Sequence, residues 1–236
     1  MNLKFNLETT MKQRKSGLKS AMLGCLVGAF TLIATPSFAT TVWTDWTSAS
    51  NGLAGSAFGA VNGVNLTYSG EVAGNVISGT SAIWAPNSSF IGGTVTTSPG
   101  TVGDELQLTG APGTNTITFA SAVVNPVFAI WSLGQPGVSA SFTFNLTPTF
   151  EAGGPNSFFG GGAITVSGNT VSGNEGNGVV EFTGTFTSIS WTDTPENYYS
   201  FTVGVNEPTS TVPEPASLAL LGLGLAGLGF TRRKKV

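Results

Sequence analysis

The chain has 236 residues, 9% of them charged, with a formal net charge of −3 at pH 7 and no histidine. All nine basic residues lie near the two ends, so residues 40–212 carry ten carboxylates and no cationic side chain. That balance excludes phosphate recognition, and with it nucleic acid as a partner, together with imidazole-based nucleophilic catalysis, Schiff-base chemistry and His-ligated metal sites.

At the N-terminus, Lys12, Arg14, Lys15 and Lys19 form a basic region, residues 20–34 an apolar one, and Ser37-Phe38-Ala39 a small-x-small cleavage site. The pattern predicts a signal peptide over 1–39, cut between Ala39 and Thr40 by signal peptidase after entry into the general export machinery. Met11 is an alternative start, because the ten residues before it lengthen the basic region without improving it. Cys25, the one cysteine, follows Met22-Leu23-Gly24, a poor lipobox, and reads as an apolar residue of the signal. The mature chain then has no disulfide, despite an oxidising destination.

Residues 40–205 read as one all-β domain. All five tryptophans, all three tyrosines and twelve of the sixteen phenylalanines fall between residues 40 and 212, which argues against a disordered acidic spacer. The opening Trp43-Thr44-Asp45-Trp46-Thr47 is a strand whose two indoles have opposite phase. Trp46 is a candidate glycan contact, as an aromatic platform beside polar groups; the competing reading is a first strand packed into the core. Period-two alternation recurs at Val64, Leu66, Tyr68; at Ile117, Phe119; at Phe142, Phe144, Leu146; at Val180, Phe182, Phe186; and at Tyr199, Phe201, Val203, Val205. The run Val123–Leu133 is apolar in both phases and predicts a strand covered on both faces, with Pro126 placing the start of pairing after that residue.

Turn signals separate these runs at Asn51-Gly52, Asn62-Gly63, Pro99-Gly100, Ala111-Pro112-Gly113, Gly134-Gln135-Pro136-Gly137 and Gly153-Gly154-Pro155-Asn156. A doubled Val-Ser-Gly-Asn at 166–169 and 171–174 predicts a long hairpin. Trp84, Trp131 and Trp191 sit in apolar contexts and are expected in the core. The spacing predicts a single antiparallel β-sandwich of roughly eight to ten strands, jelly-roll-like or immunoglobulin-like. Residues 206–212 read as a polar linker. The Asn-x-Ser/Thr matches at Asn65, Asn87 and Asn145 are given no role.

Two acidic pairs lie in loops: Asp104-Glu105, and Asp193 with Glu196 around Pro195. They read first as solvated loop acids. Brought to one end of the sandwich they would offer an oxygen-rich Ca²⁺ site, or a carboxylate pair for glycoside hydrolysis. No catalytic, cofactor-binding or metal residue is assigned, and no cofactor is expected beyond that one calcium option.

The chain closes on Pro213-Glu214-Pro215, an apolar run over 216–230 and the basic tail Arg232, Arg233, Lys234, Lys235. Fifteen helical residues span about 22 Å, short of the roughly 30 Å hydrocarbon core, so spanning calls on flanking residues or local thinning. The alternation Leu221-Gly222-Leu223-Gly224-Leu225 permits close helix approach, and the tail is expected on the cytoplasmic side as a stop-transfer signal. Motif, helix and tail together resemble the PEP-CTERM sorting signal of Gram-negative bacteria, over residues 213–236; the same segment also goes by the label of an ice-binding protein C-terminal domain, which for a sorting tag implies no antifreeze activity.

The resemblance implies export through the inner membrane, transient anchoring by the helix, cleavage near the motif by an exosortase-type membrane protease, and a final place on the outer surface or in extracellular polysaccharide. Together with the missing catalytic residue types, this predicts a non-enzymatic envelope or matrix protein associated with surface polysaccharide. A carbohydrate-binding module, perhaps Ca²⁺-assisted, is the alternative, and a carboxylate-based glycoside hydrolase the remote one.

Overall fold

The computed structural model describes residues 40–78, 81–100 and 104–206, together with Gly222 and Leu225, both helical. The expected signal peptide over 1–39, the Pro213-Glu214-Pro215 motif, the basic tail and the rest of the 216–230 span lie outside the described residues. Among those described, no helix is long and apolar enough to cross a membrane.

Among the described residues, sixteen short strands build the domain, more than the eight to ten expected. The first are β1 (Thr41–Trp43), β2 (Asp45–Ser50), β3 (Gly52–Val61), β4 (Val64–Val72) and β5 (Gly74–Val76). A long connection with a 3-10 turn at Asn87–Ser89 leads to β6 (Glu105–Leu108), β7 (Asn115–Val124), β8 (Pro126–Leu133), β9 (Ala140–Phe144) and β10 (Thr149–Gly153). Then follow β11 (Gly162–Ala163), β12 (Thr165–Ser167), β13 (Thr170–Gly173), β14 (Gly176–Glu181), β15 (Thr185–Asp193) and β16 (Tyr199–Asn206). The number is high because the chain keeps changing sheets, and each change ends a strand.

One sheet has the order β10-β14-β8-β16-β6-β5, with β1 added beside β16 and β11 beside β14. The other runs β12-β13-β9-β15-β7-β4-β3-β2. Every pairing is antiparallel except β11 with β14. Strands β6, β8, β14 and β16 lie in the first sheet in the order β6-β16-β8-β14; β7, β9, β13 and β15 lie in the second in the order β7-β15-β9-β13. Those two orders are the strand orders of a jelly roll, with β2–β4 extending the second sheet as a meander and β10–β12 inserted between β9 and β13. The meander closes at Asn62 (φ 47) and Gly63 (φ 74), two residues in the left-handed region as a type I′ turn requires.

The inner faces of both sheets share one core. Phe128 of β8 meets Phe144 of β9 at 5.5 Å and Trp191 of β15 at 5.4 Å between ring centroids, both edge to face, so the aromatic pairs join the sheets. Strands β8, β14 and β16 are buried along their whole length. Their outer face carries a second cluster, in which Trp84, Phe90 and Val95 of the β5–β6 connection cover Val127, Ala129, Trp131 and Val179. Two-sided burial of the apolar run from Pro126 to Leu133 is what its continuous hydrophobicity predicts.

Four expectations need correction. Val123–Leu133 is two strands, broken at Asn125 (φ 48), whose backbone N–H and side-chain oxygen bond Gly184 across the turn. Pairing begins at Pro126 itself, opposite Val205, because the first position of a strand tolerates a residue without N–H. Strand β16 includes Asn206, which is buried, pairs with Thr41 and bonds Glu181, so this residue belongs to the β-domain. The repeated Val-Ser-Gly-Asn makes a short hairpin, Thr165–Ser167 with Thr170–Gly173; its second copy is β13 and the start of the crossing to β14 in the other sheet.

Candidate functional site

Three connections meet at one end of the sandwich, β8–β9, β13–β14 and β15–β16, and Phe159 of the β10–β11 connection joins them. Between them lies a cleft of about 180 Å³, lined by Ser132, Gly134, Gln135, Pro136, Phe159, Glu175, Glu196, Asn197 and Tyr198. In the first wall, Gln135 and Val138 exchange both backbone hydrogen bonds at 2.9 Å around Pro136-Gly137. Pro136 presets the turn and Gly137 (φ 80) supplies the left-handed residue of a type II turn. Gly134 (φ 85) has no room for a side chain, since a Cβ would overlap the Gly173 carbonyl, and its N–H donates to the Glu196 carboxylate. In the third wall, the Asn197 amide donates to Gln135 Oε1 at 3.0 Å and so joins the two connections.

Behind the cleft, the ladder between β8 and β14 slips between Gly176 and Gly178. Bulges of this kind re-aim side chains beside functional sites. Asn177 sits in the slip, fully buried. Its oxygen accepts from Ser132 N–H at 2.9 Å, and its amide donates to the carbonyls of Phe159 (3.3 Å) and Glu175 (3.2 Å). One side chain thus holds three wall segments. Ser132 (φ 57) and Glu175 (φ 55) both take the left-handed conformation without being glycine, a cost that a surrounding network must sustain.

The aromatic wall is built on Trp131, whose ring lies 5.7 Å from Tyr198 and 5.9 Å from Phe159. Trp131 is 3% exposed, whereas Tyr198 is 38% and Phe159 51% exposed, so a buried indole positions two open rings. The Glu196 carboxyl is pushed up to about 7, by burial first and by the Glu175 charge as well; N–H donation from Gly134 and Tyr198 opposes the shift. Near neutrality Glu196 therefore both donates and accepts hydrogen bonds.

The acids read as solvated loop residues are largely withdrawn from solvent, and the two pairs do not converge. Asp193 and Glu196 flank Pro195 but face different ways. Asp193 pairs with Phe142 and shares its inward side, where both its oxygens are buried without a well-formed hydrogen bond, beside Tyr199 and Asn115. Burial pushes its carboxyl up to about 6, with the Glu71 charge adding to the shift. Glu71 behaves in the opposite way. Burial raises it, but the Thr109 hydroxyl and the N–H groups of Thr109, Gly110 and Ala111 outweigh that effect and hold it below the usual range. Burial likewise pushes the Tyr68 and Tyr199 phenols up, and Asp193 adds to both shifts.

Asp104 and Glu105 lie toward the other end of β6, because Leu108, three residues beyond Glu105, is the one opposite Tyr199. Asp104 accepts from Trp46 N–H at 3.0 Å, and Glu105 from Ser81 and Gln107, each at 3.1 Å. Neither the calcium site nor the carboxylate pair imagined from these four residues is assembled. Among the described residues, no group of three or more Asp, Glu, His or Cys converges to hold a metal ion.

Trp46 is not a surface platform. It is fully buried, and its indole N–H points to the Thr202 hydroxyl at 3.2 Å. The chain changes sheets at Thr44, so Trp43 belongs to β1 in one sheet and Trp46 to β2 in the other. Trp43 packs partly buried against the outer cluster and donates to the Thr97 carbonyl at 2.9 Å. The change of sheet thus puts Trp46 in the core between the sheets and leaves Trp43 partly buried against the outer cluster. Phe159, Glu175 and Asn177 escaped the sequence reading. The usable signal was Phe158-Phe159 in the Gly-rich stretch 153–163, where no strand phase exists to bury two adjacent rings.

Residues 211–234 match the family model of the PEP-CTERM protein-sorting motif, the segment carrying Pro213-Glu214-Pro215 and the basic residues up to Lys234. No curated protein and no solved structure matches the chain. The motif implies export, processing by an exosortase and C-terminal sorting to the cell surface.

Proposed function

We propose that this is a non-enzymatic protein of the outer surface or extracellular matrix, anchored transiently by its C-terminal helix during export and then associated with surface polysaccharide. The observation that carries the reading is the sorting motif at 211–234. It is supported by the passenger's chemistry: ten carboxylates, no histidine and no cationic side chain leave no imidazole or amine to act as nucleophile or base. Like charges on a purely anionic β-domain oppose self-association and keep it soluble among polysaccharide chains.

Replacing Pro213, Glu214 and Pro215 by alanine in the producing cell tests the route. The expected result is an uncut, longer form retained in the inner membrane; unchanged maturation and release would refute the role given to the motif. Fractionation of the mature protein tests the destination: it should travel with the polysaccharide fraction and shift to the medium in cells that make none.

A further inference from the structure

The cleft at the end of the sandwich has the features of a ligand site rather than of an accidental gap. Among the described residues, two of the five non-glycine residues with positive φ, Ser132 and Glu175, line it, and the β8–β14 slip with Asn177 lies directly behind it. Its walls present two kinds of chemistry. Tyr198 and Phe159 offer exposed aromatic rings packed on Trp131, while Ser132, Gln135, Glu175, Glu196 and Asn197 offer hydroxyl, amide and carboxyl groups. Apolar faces alternating with convergent hydrogen-bonding groups match the two surfaces of a pyranose ring, C–H on its faces and hydroxyls at its rim.

Charge narrows the choice. The cleft holds two acidic side chains, Glu175 and Glu196, and residues 40–212 hold no side-chain cation to balance an acidic ligand. A uronate, sulfate or phosphate would meet like charge at short range with nothing to offset its desolvation. Size narrows it further: about 180 Å³ is below the roughly 300–1,000 Å³ of sites for drug-sized ligands, which suits one ring rather than a chain lying in a groove. A larger groove of about 360 Å³, on the outer face of the second sheet, offers a single aromatic, Phe58, among Thr47, Asn65, Thr67 and Thr118, and no carboxyl group.

We infer that the cleft between the β8–β9, β13–β14 and β15–β16 connections binds one non-acidic hexose unit of a polysaccharide, stacked on Tyr198 and Phe159 and hydrogen-bonded through Glu175, Glu196, Gln135 and Asn197. This rests on the reading of the protein as a partner of surface polysaccharide, and names the chemistry by which it would hold one. Binding is measured on purified protein and sorting in cells, so either can fail without the other.

The test is calorimetric titration of the purified full chain, above pH 7, with neutral hexose oligosaccharides of gluco, manno and galacto type. Hexuronate oligosaccharides and free-amine oligosaccharides of glucosamine serve as comparisons. Saturable binding of at least one neutral series is expected, with the uronates at least tenfold weaker. Tyr198→Ala and Phe159→Ala, both at open positions, should each weaken it at least tenfold with unchanged melting temperature, and Phe58→Ala should leave it intact. Binding should also alter tryptophan emission, and Trp131→Phe should remove that change. No binding of any neutral series, equal affinity for uronates, or loss with Phe58→Ala but not with Tyr198→Ala would overturn the assignment. A tenfold preference for free amines would overturn it in favour of an ammonium site, and release of new reducing ends in favour of a hydrolase.

Discussion

At the scale of single residues, this domain shows how carboxylates are managed without cations. Glu71 is held by the Thr109–Ala111 turn, Glu105 by Ser81 and Gln107, and Glu181 by Thr94 and Asn206, each through hydroxyl, amide or backbone N–H donors. Burial nevertheless pushes the carboxyls of Asp104, Glu105, Asp193 and Glu196 up, the last two furthest, toward neutrality. A folded-state pKa above the ordinary value means that, as pH rises, the unfolded chain releases protons that the folded chain still binds. Stability should therefore fall as pH rises from about 4 to the folded values, about 6 for Asp193 and about 7 for Glu196. Glu71, lowered, acts in reverse and withdraws its contribution as pH falls below 4.5. Denaturant titrations across this range should place maximum stability between about pH 4 and 5. Glu196→Gln should flatten the decline between pH 5 and 7; an unaltered slope would show that Glu196 titrates normally.

Among the elements, the β5–β6 connection matters as much as any strand. It lays Trp84 and Phe90, in edge-to-face contact at 5.3 Å, on the outer face of β8 and β14. The Ser89 hydroxyl fastens it to the Pro155 carbonyl at 2.6 Å, and Thr94 to the Glu181 carboxylate at 2.6 Å. Trp84→Ala should cost about 3–5 kcal/mol, the usual cost of truncating a buried large aromatic. Hydrogen exchange should then speed up first in residues 83–97 and on the exposed side of β8, with β4, β7 and β15 protected; uniform deprotection would mean that the connection is not a separate layer. The sequence made β8 legible as a doubly covered strand, because continuous hydrophobicity has no other stable placement. It could not say what covers it, because Trp84, Phe90 and Val95 follow neither the helical nor the strand period.

The whole molecule carries its charge unevenly. At pH 8 the ten carboxylates between residues 40 and 212 repel one another with no compensating side chain, although the chain as a whole sums to only −3. Raising ionic strength from about 10 mM to 150 mM shortens the screening length from about 30 Å to about 8 Å. The melting temperature at pH 8 should rise over that interval, whereas a fold held by surface ion pairs would lose stability, and calorimetry distinguishes the two signs.

By itself the sequence determined the all-β class, the turns at Asn62-Gly63 and Gly134–Gly137, the burial of Trp84, Trp131 and Trp191, and the C-terminal sorting motif. All of these rest on local period, turn chemistry or a contiguous tag. Only the tertiary structure decided that Trp46 is core, that Asp193 and Glu196 part company, and that Phe159, Glu175 and Tyr198 share one cleft. Those facts depend on which sheet each strand joins. The jelly roll sends successive strands to opposite sheets, and no local pattern in the chain encodes that alternation.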